Sequence, residues 1–148
     1  MRLYGLKSPM KKFKSDRHTT NSKHFTIFKK EARLWIDRLG LKDWTFYLEH
    51  RDSKDYPGCL AWVTFYCETL VATVGLSKTW GEEQEIPSSF EVKRCAMHEV
   101  YHVLFARLTR LAESRYIHGI YLINEEEHAL IRRFENVFYG SSDTKAKM

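Results

Sequence analysis

The sequence predicts an α+β fold in a single domain, and three observations lead to this prediction. A chain of 148 residues is long enough to bury one core, and 43% hydrophobic content with 14% aromatic residues is typical of a globular protein. Apolar residues recur at helical spacing near the N-terminal end and again over the C-terminal half. Between these regions the chain alternates or is rich in β-branched and aromatic residues. We therefore expect an N-terminal helix, a small antiparallel three-stranded sheet and two further helices.

The first helix and the sheet follow in chain order. The helix is predicted from about His24 to Leu39, with Gly40 as its C-terminal stop. The segment DWTFYLEHRD alternates apolar and polar residues, which predicts the first strand. Strands two and three are expected in CLAWVTFYCETLVATVGLSKTW, with a turn near Glu68 and Thr69.

The two C-terminal helices are predicted from caps and periodicity. Ser88 and Glu91 form a capping-box pattern, and no Gly or Pro follows until Gly119, so one long helix should contain the stretch KRCAMHEVYHVLFARL. A final helix is expected in YLINEEEHALIRRFENVF. Its predicted buried stripe consists of Leu130, Ile131, Phe134, Val137 and Phe138.

Positive charge is concentrated at the N-terminal end. Residues 1–34 hold ten Lys or Arg against two acidic residues, a local net charge of +8 in a chain of net charge +5. We interpret residues 1–23 as a basic, flexible arm, residues 24–140 as the domain and residues 141–148 as a flexible tail. The arm lacks the interleaved aromatics of a nucleic-acid recognition module, so binding to nucleic acid or another polyanion is a secondary hypothesis beside a solvated tail.

Cysteine content and hydropathy indicate the cellular compartment in which the protein is expected. Cys59, Cys67 and Cys95 are odd in number and lack C-x-x-C spacing, which argues against a disulfide framework and against a cysteine-based zinc knuckle. The start of the chain has no apolar core of signal-peptide length, and no stretch approaches the roughly 20 apolar residues of a membrane span. We expect a soluble, cytoplasmic protein with no membrane partner; no oligomeric state follows from the sequence.

The predicted long helix carries the pattern His98-Glu99-x-x-His102. Helical residues four apart lie on one face, so both imidazoles can bind one metal ion. Glu99 is rotated about 100° from His98, close enough to reach a water molecule on that metal without being a ligand. Zinc lowers the pKa of such a water to about 7, and a carboxylate can take its proton as it attacks a carbonyl. The pattern therefore predicts a zinc site suited to peptide hydrolysis.

The position of the motif on the helix supports this interpretation. The two histidines share a stripe with Cys95 and Phe105 at the border of the apolar face, where a cleft can form. The alternative is a pair of partly buried histidines with ordinary hydrogen-bond partners.

A catalytic zinc site needs a third protein ligand, and the final helix supplies the candidate. Counting back three and four residues from the start of its buried stripe leads to Glu127. This places a carboxylate on an apolar face, where a bound metal would make its charge tolerable. Glu126 and His128 are the alternatives. Asn124 with Glu127 also fits a capping box, which would give Glu127 a structural task at the helix start.

The motif helix, followed by an acidic helix that opens EEEHALIRRFEN, resembles the small zincin-type metallopeptidases encoded by phages and prophages. The similarity covers roughly residues 29–139 and includes the order of helix, sheet, motif helix and glutamate-bearing helix. It implies a minimal zincin-like domain of the gluzincin type, in the host-cell cytoplasm if phage-encoded. The residues that it implies are the Zn²⁺ ligands His98, His102 and Glu127 and the general base Glu99.

The expected function is zinc-dependent hydrolysis of peptide bonds in a restricted protein substrate. Larger gluzincins have a second lobe that forms the far wall of the cleft, and we expect no such lobe here. The strand TLVATVGLSK is expected to offer a sheet edge to an extended peptide. Tyr116, His118 and Tyr121 are candidates for stabilising the oxyanion, although ordinary packing or loop roles suit each of them better.

Two other classes of function remain open. One is a catalytically weak or inactive binding protein that keeps the zincin fold and contacts nucleic acid through the basic arm. The other is a structural domain without metal. Activity separates the enzyme from the binding protein, and metal content identifies the structural domain.

Overall fold

The computed structural model describes residues 18–81, 84, 86–114 and 120–139. The helices are α1 (Ser22–Arg38), α2 (Ser89–Glu113) and α3 (Ile120–Tyr139), and the strands are β1 (Thr45–His50), β2 (Ala61–Tyr66) and β3 (Val71–Leu76). The predicted α+β class and the predicted order of elements are confirmed. Residues 1–17, most of the predicted arm, and the predicted tail 141–148 lie outside the described residues.

The sheet is mixed, and in this respect the prediction of an antiparallel sheet is wrong. Its strand order is β1-β3-β2, with β3 antiparallel to β2 and parallel to β1. Residues 51–60 carry the chain from one edge of the sheet to the other, which leaves the middle position for β3. Alternation along a strand shows which residues share a face but not the direction of the neighbouring strand. The strand that was expected at an edge, β3, is therefore central.

The core lies between one face of the sheet and helices α1 and α2. Its most buried side chains, each 0% exposed, are Phe28, Ala32, Ala72, Val74, Leu76, Val92, Ala96, Val100 and Ala106. Because the buried residues of α2 recur at helical spacing, one side of this helix faces the core. His98 and His102 lie outside this buried side and are exposed.

Side-chain caps fix the starts of α1 and α2. The Ser88 hydroxyl accepts a hydrogen bond from the Glu91 amide at 3.1 Å, which confirms the predicted start of α2, although the Glu91 carboxylate pairs with Arg94 instead of completing a capping box. Asn21 caps α1 and forms a capping box with His24, so α1 begins slightly earlier than its apolar spacing predicts.

The described residues include part of the predicted arm, because residues 18–20 pair with a segment of the predicted domain. The Thr20 amide donates to the Lys78 carbonyl at 2.8 Å, and the Trp80 amide donates to the His18 carbonyl at 2.7 Å. Residues 18–20 thus form a short antiparallel ribbon with the segment that follows β3. This pairing uses backbone groups, so side-chain periodicity gives no sign of it.

Helix α3 lies antiparallel against α2. Phe134 stacks near Tyr101 and Phe105 with ring centroids 6.4 Å apart in each pair, whereas Arg107 lies 3.9 Å from Glu126, near the start of α3. Since α3 begins at Ile120, its residue 124 lies inside the helix, and the capping-box role considered for Glu127 is wrong. None of the helices within the described ranges is long and apolar enough to span a membrane.

Candidate metal centre and cleft

The two motif histidines face each other on the outer side of α2. Their Nε2 atoms are 3.1 Å apart, and their ring planes lie at 82°. Two nitrogens that bind one tetrahedral zinc at 2.0–2.1 Å are separated by about 3.3 Å. The observed spacing therefore suits a shared ion, and it also suits a hydrogen bond in which one ring carries the proton.

The protonation of His102 favours metal binding. Burial lowers the pKa of His102, and the nearby His98 lowers it further. A lowered pKa keeps the imidazole neutral near neutral pH, and the neutral form is the one that binds a metal.

Glu99 lies on the core side of α2, between the histidine pair and the buried stripe. The residue is only 8% exposed, and Cys95 and Val103, one turn away on either side, are buried as well. Burial raises the pKa of Glu99 from 4.5 to about 7. No described residue forms a hydrogen bond or an ion pair with its carboxylate. The group is thus suited to accept and return a proton near neutral pH.

A cleft of about 420 Å³ runs beside Glu99 and His102. Its other walls come from β2 and from the segment that precedes it. Those wall residues are Tyr56, Cys59, Ala61, Trp62, Val63 and Phe65. The sheet edge at the motif helix is therefore β2, whereas the sequence-based expectation placed β3 there.

Sequence reasoning missed the wall residues because they come from a distant part of the chain. Tyr56 lies in the segment SKDYPG, in which Pro57 and Gly58 indicate a turn. Its aromatic side chain among turn residues was the one available signal, since an exposed aromatic in a loop is frequently a binding residue.

The structure does not bring the predicted third ligand to the histidines. Glu127 is exposed, and the described part of the chain contains no group of three His, Cys, Asp or Glu placed to hold a metal ion. Of the alternatives, Glu126 lies 3.9 Å from the Arg107 guanidinium, and His128 Nδ1 is 2.8 Å from the Asn124 carbonyl oxygen of its own helix. Glu127 has no such partner among the described residues. Its ligand role stays a prediction.

The residues considered for oxyanion stabilisation gain no support. Tyr116 and His118 lie outside the described residues. Tyr121 is 70% exposed on the first turn of α3, where its hydroxyl is hydrogen-bonded to Glu125.

Comparison with protein-family models, curated proteins and solved structures finds no match for this chain. A function therefore has to be inferred from the residues and their geometry.

Proposed function

We propose that this protein is a zinc-dependent metallopeptidase that hydrolyses peptide bonds of a restricted protein substrate, with Glu99 as general base. The observation that carries the proposal is the geometry of the motif: two Nε2 atoms 3.1 Å apart beside a buried carboxylate with a raised pKa. Strongly perturbed carboxyl groups in a cleft are characteristic of catalytic sites.

The spacing of 3.1 Å between the two histidine Nε2 atoms fits zinc. His98 and His102 would hold the ion. Glu127, which the structure leaves apart from the histidines, is proposed as the third ligand of a His₂Glu set. Zinc, when bound, lowers the pKa of a water molecule and polarises a carbonyl. Glu99 takes the proton of the attacking water and later gives it to the leaving amine. A carboxyl group with a pKa of about 7 can perform both transfers near neutral pH.

The cleft supports an extended peptide as the substrate. In the described part of the sheet β2 pairs only with β3, so its outer edge can form backbone hydrogen bonds with a peptide. Ala61, Val63 and Phe65 line the cleft beside Glu99, which favours apolar substrate side chains near the cleaved bond.

Metal analysis and a cleavage assay test the proposal together. Protein purified without a His tag should carry about one zinc per chain, and His102→Ala should lose the metal and part of its thermal stability. Wild type should cleave members of a fluorescence-quenched peptide library, and a chelator should abolish the cleavage until zinc is restored. Protein that neither retains nor binds zinc, with a melting temperature that zinc does not change, would overturn the metal site.

The third ligand is tested by a matched pair on α3. Glu127→Gln should weaken zinc affinity by a factor of about 10 or more because it replaces a charged ligand. Glu126→Gln, next to it, should leave the affinity unchanged. The reverse result would assign the ligand to Glu126. Zinc binding without hydrolysis of any library peptide would instead favour the zincin-fold binding protein.

A further inference from the structure

Hydrolysis of a peptide bond places negative charge on the substrate carbonyl oxygen, and a donor aimed at that oxygen accelerates the reaction. The cleft beside Glu99 and His102 has few polar side chains. Ala61, Val63 and Phe65 offer no side-chain donor, Glu99 acts as the base, and His102 is a proposed zinc ligand. The remaining wall residues with a side-chain N–H, O–H or S–H group are Tyr56, Cys59 and Trp62.

Two of these three donors are already engaged. The Trp62 Nε1–H donates to the Arg51 carbonyl oxygen at 3.0 Å, and the indole lies so close against Gly75 that a Cβ there would be 2.0 Å from the ring. The Cys59 Sγ lies 3.4 Å from the Ser77 hydroxyl oxygen. The Tyr56 hydroxyl has no hydrogen-bond partner among the described residues. It is the donor that the cleft leaves free.

The backbone at Tyr56 is held in place although its side chain is free. The Tyr56 amide donates to the Ser53 hydroxyl at 3.2 Å, and the Tyr56 carbonyl accepts from the Cys59 amide at 3.3 Å. Gly58 has a φ of 78° and accepts a hydrogen bond from the Gly81 amide at 3.1 Å. The turn is therefore anchored to the segment after β3. Tyr56, a residue 66% exposed, therefore projects from an anchored turn.

We propose that Tyr56 is a catalytic residue whose hydroxyl donates a hydrogen bond to the substrate carbonyl oxygen during hydrolysis. The inference rests on the proposed peptidase function. As the water oxygen bonds to the carbonyl carbon, the C=O π electrons move to the carbonyl oxygen and Glu99 receives the water proton. When the C–N bond breaks, the carbonyl re-forms and that proton passes to the amine nitrogen. Tyr56 keeps its own proton throughout.

Tyr56→Phe removes the hydroxyl and leaves the ring in place. With the library peptide that wild type cleaves fastest, kcat should fall about 10²-fold or more, with KM changed by less than about threefold, because the interaction forms only in the transition state. Zinc content and melting temperature should not change. Tyr47→Phe is the matched control, since Tyr47 is 56% exposed on β1, at the opposite edge of the sheet. It should keep wild-type kcat and KM.

A binding measurement separates a role in the reaction from a role in holding the substrate. The affinity of the same peptide, uncleaved, should be equal for Glu99→Gln and for Glu99→Gln with Tyr56→Phe. A kcat unchanged by Tyr56→Phe, or a loss confined to KM and affinity, would overturn the role of Tyr56 alone. A zinc-loaded wild type that cleaves no library peptide would overturn the peptidase function and the role of Tyr56 together.

Discussion

Glu99 is an ionisable residue on the otherwise mostly apolar buried side of α2. It occupies the core-facing side of α2, among buried side chains, where a charged group is costly. No described partner compensates for that cost. A buried carboxyl group with a pKa of about 7 is a proton acceptor suited to neutral pH.

The cost of burying Glu99 should be visible in the pH dependence of stability. The folded-state pKa, about 7, lies above the ordinary glutamate value of 4.5. Between these values the folded state binds more protons than the unfolded state. The stability associated with protonated Glu99 is therefore fully present below pH 4.5 and is lost as pH rises through 7. Glu99→Gln should remove this dependence, because the amide does not ionise.

Urea denaturation of chelator-treated protein at two pH values checks this predicted pH dependence of stability. The unfolding free energy of Glu99→Gln relative to wild type should rise by roughly 3 kcal/mol between pH 4.5 and pH 8. His102 titrates in both proteins, so its contribution largely cancels in the difference. An equal difference at both pH values would show that Glu99 is not perturbed by burial.

At the scale of elements, α3 is the helix whose attachment matters most for the site, because it carries the proposed third ligand. The attachment has an apolar part, with Leu130 buried and Phe134 against Tyr101. It also has a polar part, in which Arg133 Nη1 donates to the carbonyl oxygens of Leu39 and Gly40 at 2.9 and 2.7 Å. The Arg133 guanidinium thus provides hydrogen-bond donors for carbonyl groups at the C-terminal end of α1.

Arg133→Ala should lower the unfolding free energy by about 1–2 kcal/mol, because charged hydrogen bonds are lost and carbonyls are left without a protein partner. Arg132→Ala provides the control, since Arg132 is the exposed neighbour on the same helix and should change stability by less than about 0.5 kcal/mol. Chemical denaturation measures both. Equal effects for the two variants would contradict the polar attachment of α3.

Local signals were sufficient to predict most elements. The helix over the motif followed from Ser88 and an uninterrupted apolar pattern, and Gly40, with a φ of 62°, does lie directly after the residue that caps α1. The parallel pairing of β1 with β3 could not be predicted, because strand direction is set by how the connection crosses the sheet. The ribbon at residues 18–20 was also missed, since it is made of backbone hydrogen bonds.

At the scale of the whole molecule, the candidate site combines residues that are close in sequence on α2 with cleft walls from a distant part of the chain. His98, Glu99 and His102 were found from the sequence because helical geometry alone brings them together. The cleft walls were not found, because Tyr56 and β2 reach the motif only through the packing of the sheet on α2. The position of Glu127 relative to the histidines depends on how α3 docks, which no sequence pattern encodes.

The basic N-terminal segment is the other feature of the whole molecule that can be tested. Residues 1–17 contain six Lys or Arg against one Asp. If this segment binds a polyanion, deleting it should lower the salt concentration at which the protein elutes from heparin and flatten the salt dependence of nucleic-acid binding, because contacts with anionic groups would be lost. Zinc content should stay the same, since the motif lies elsewhere. Unchanged binding after the deletion would exclude a role for this segment.

The most direct test of the proposed peptidase is the activity of Glu99→Gln at full zinc occupancy, with zinc per chain and peptide cleavage measured on the same samples. The variant should keep about one zinc per chain, because Glu99 is proposed as a base and not as a ligand, while kcat falls by a factor of about 10² to 10⁴ or more with little change in peptide affinity. A variant that keeps zinc and cleaves peptide as fast as wild type would contradict the mechanism. A variant that expels zinc would contradict the assignment of the ligands.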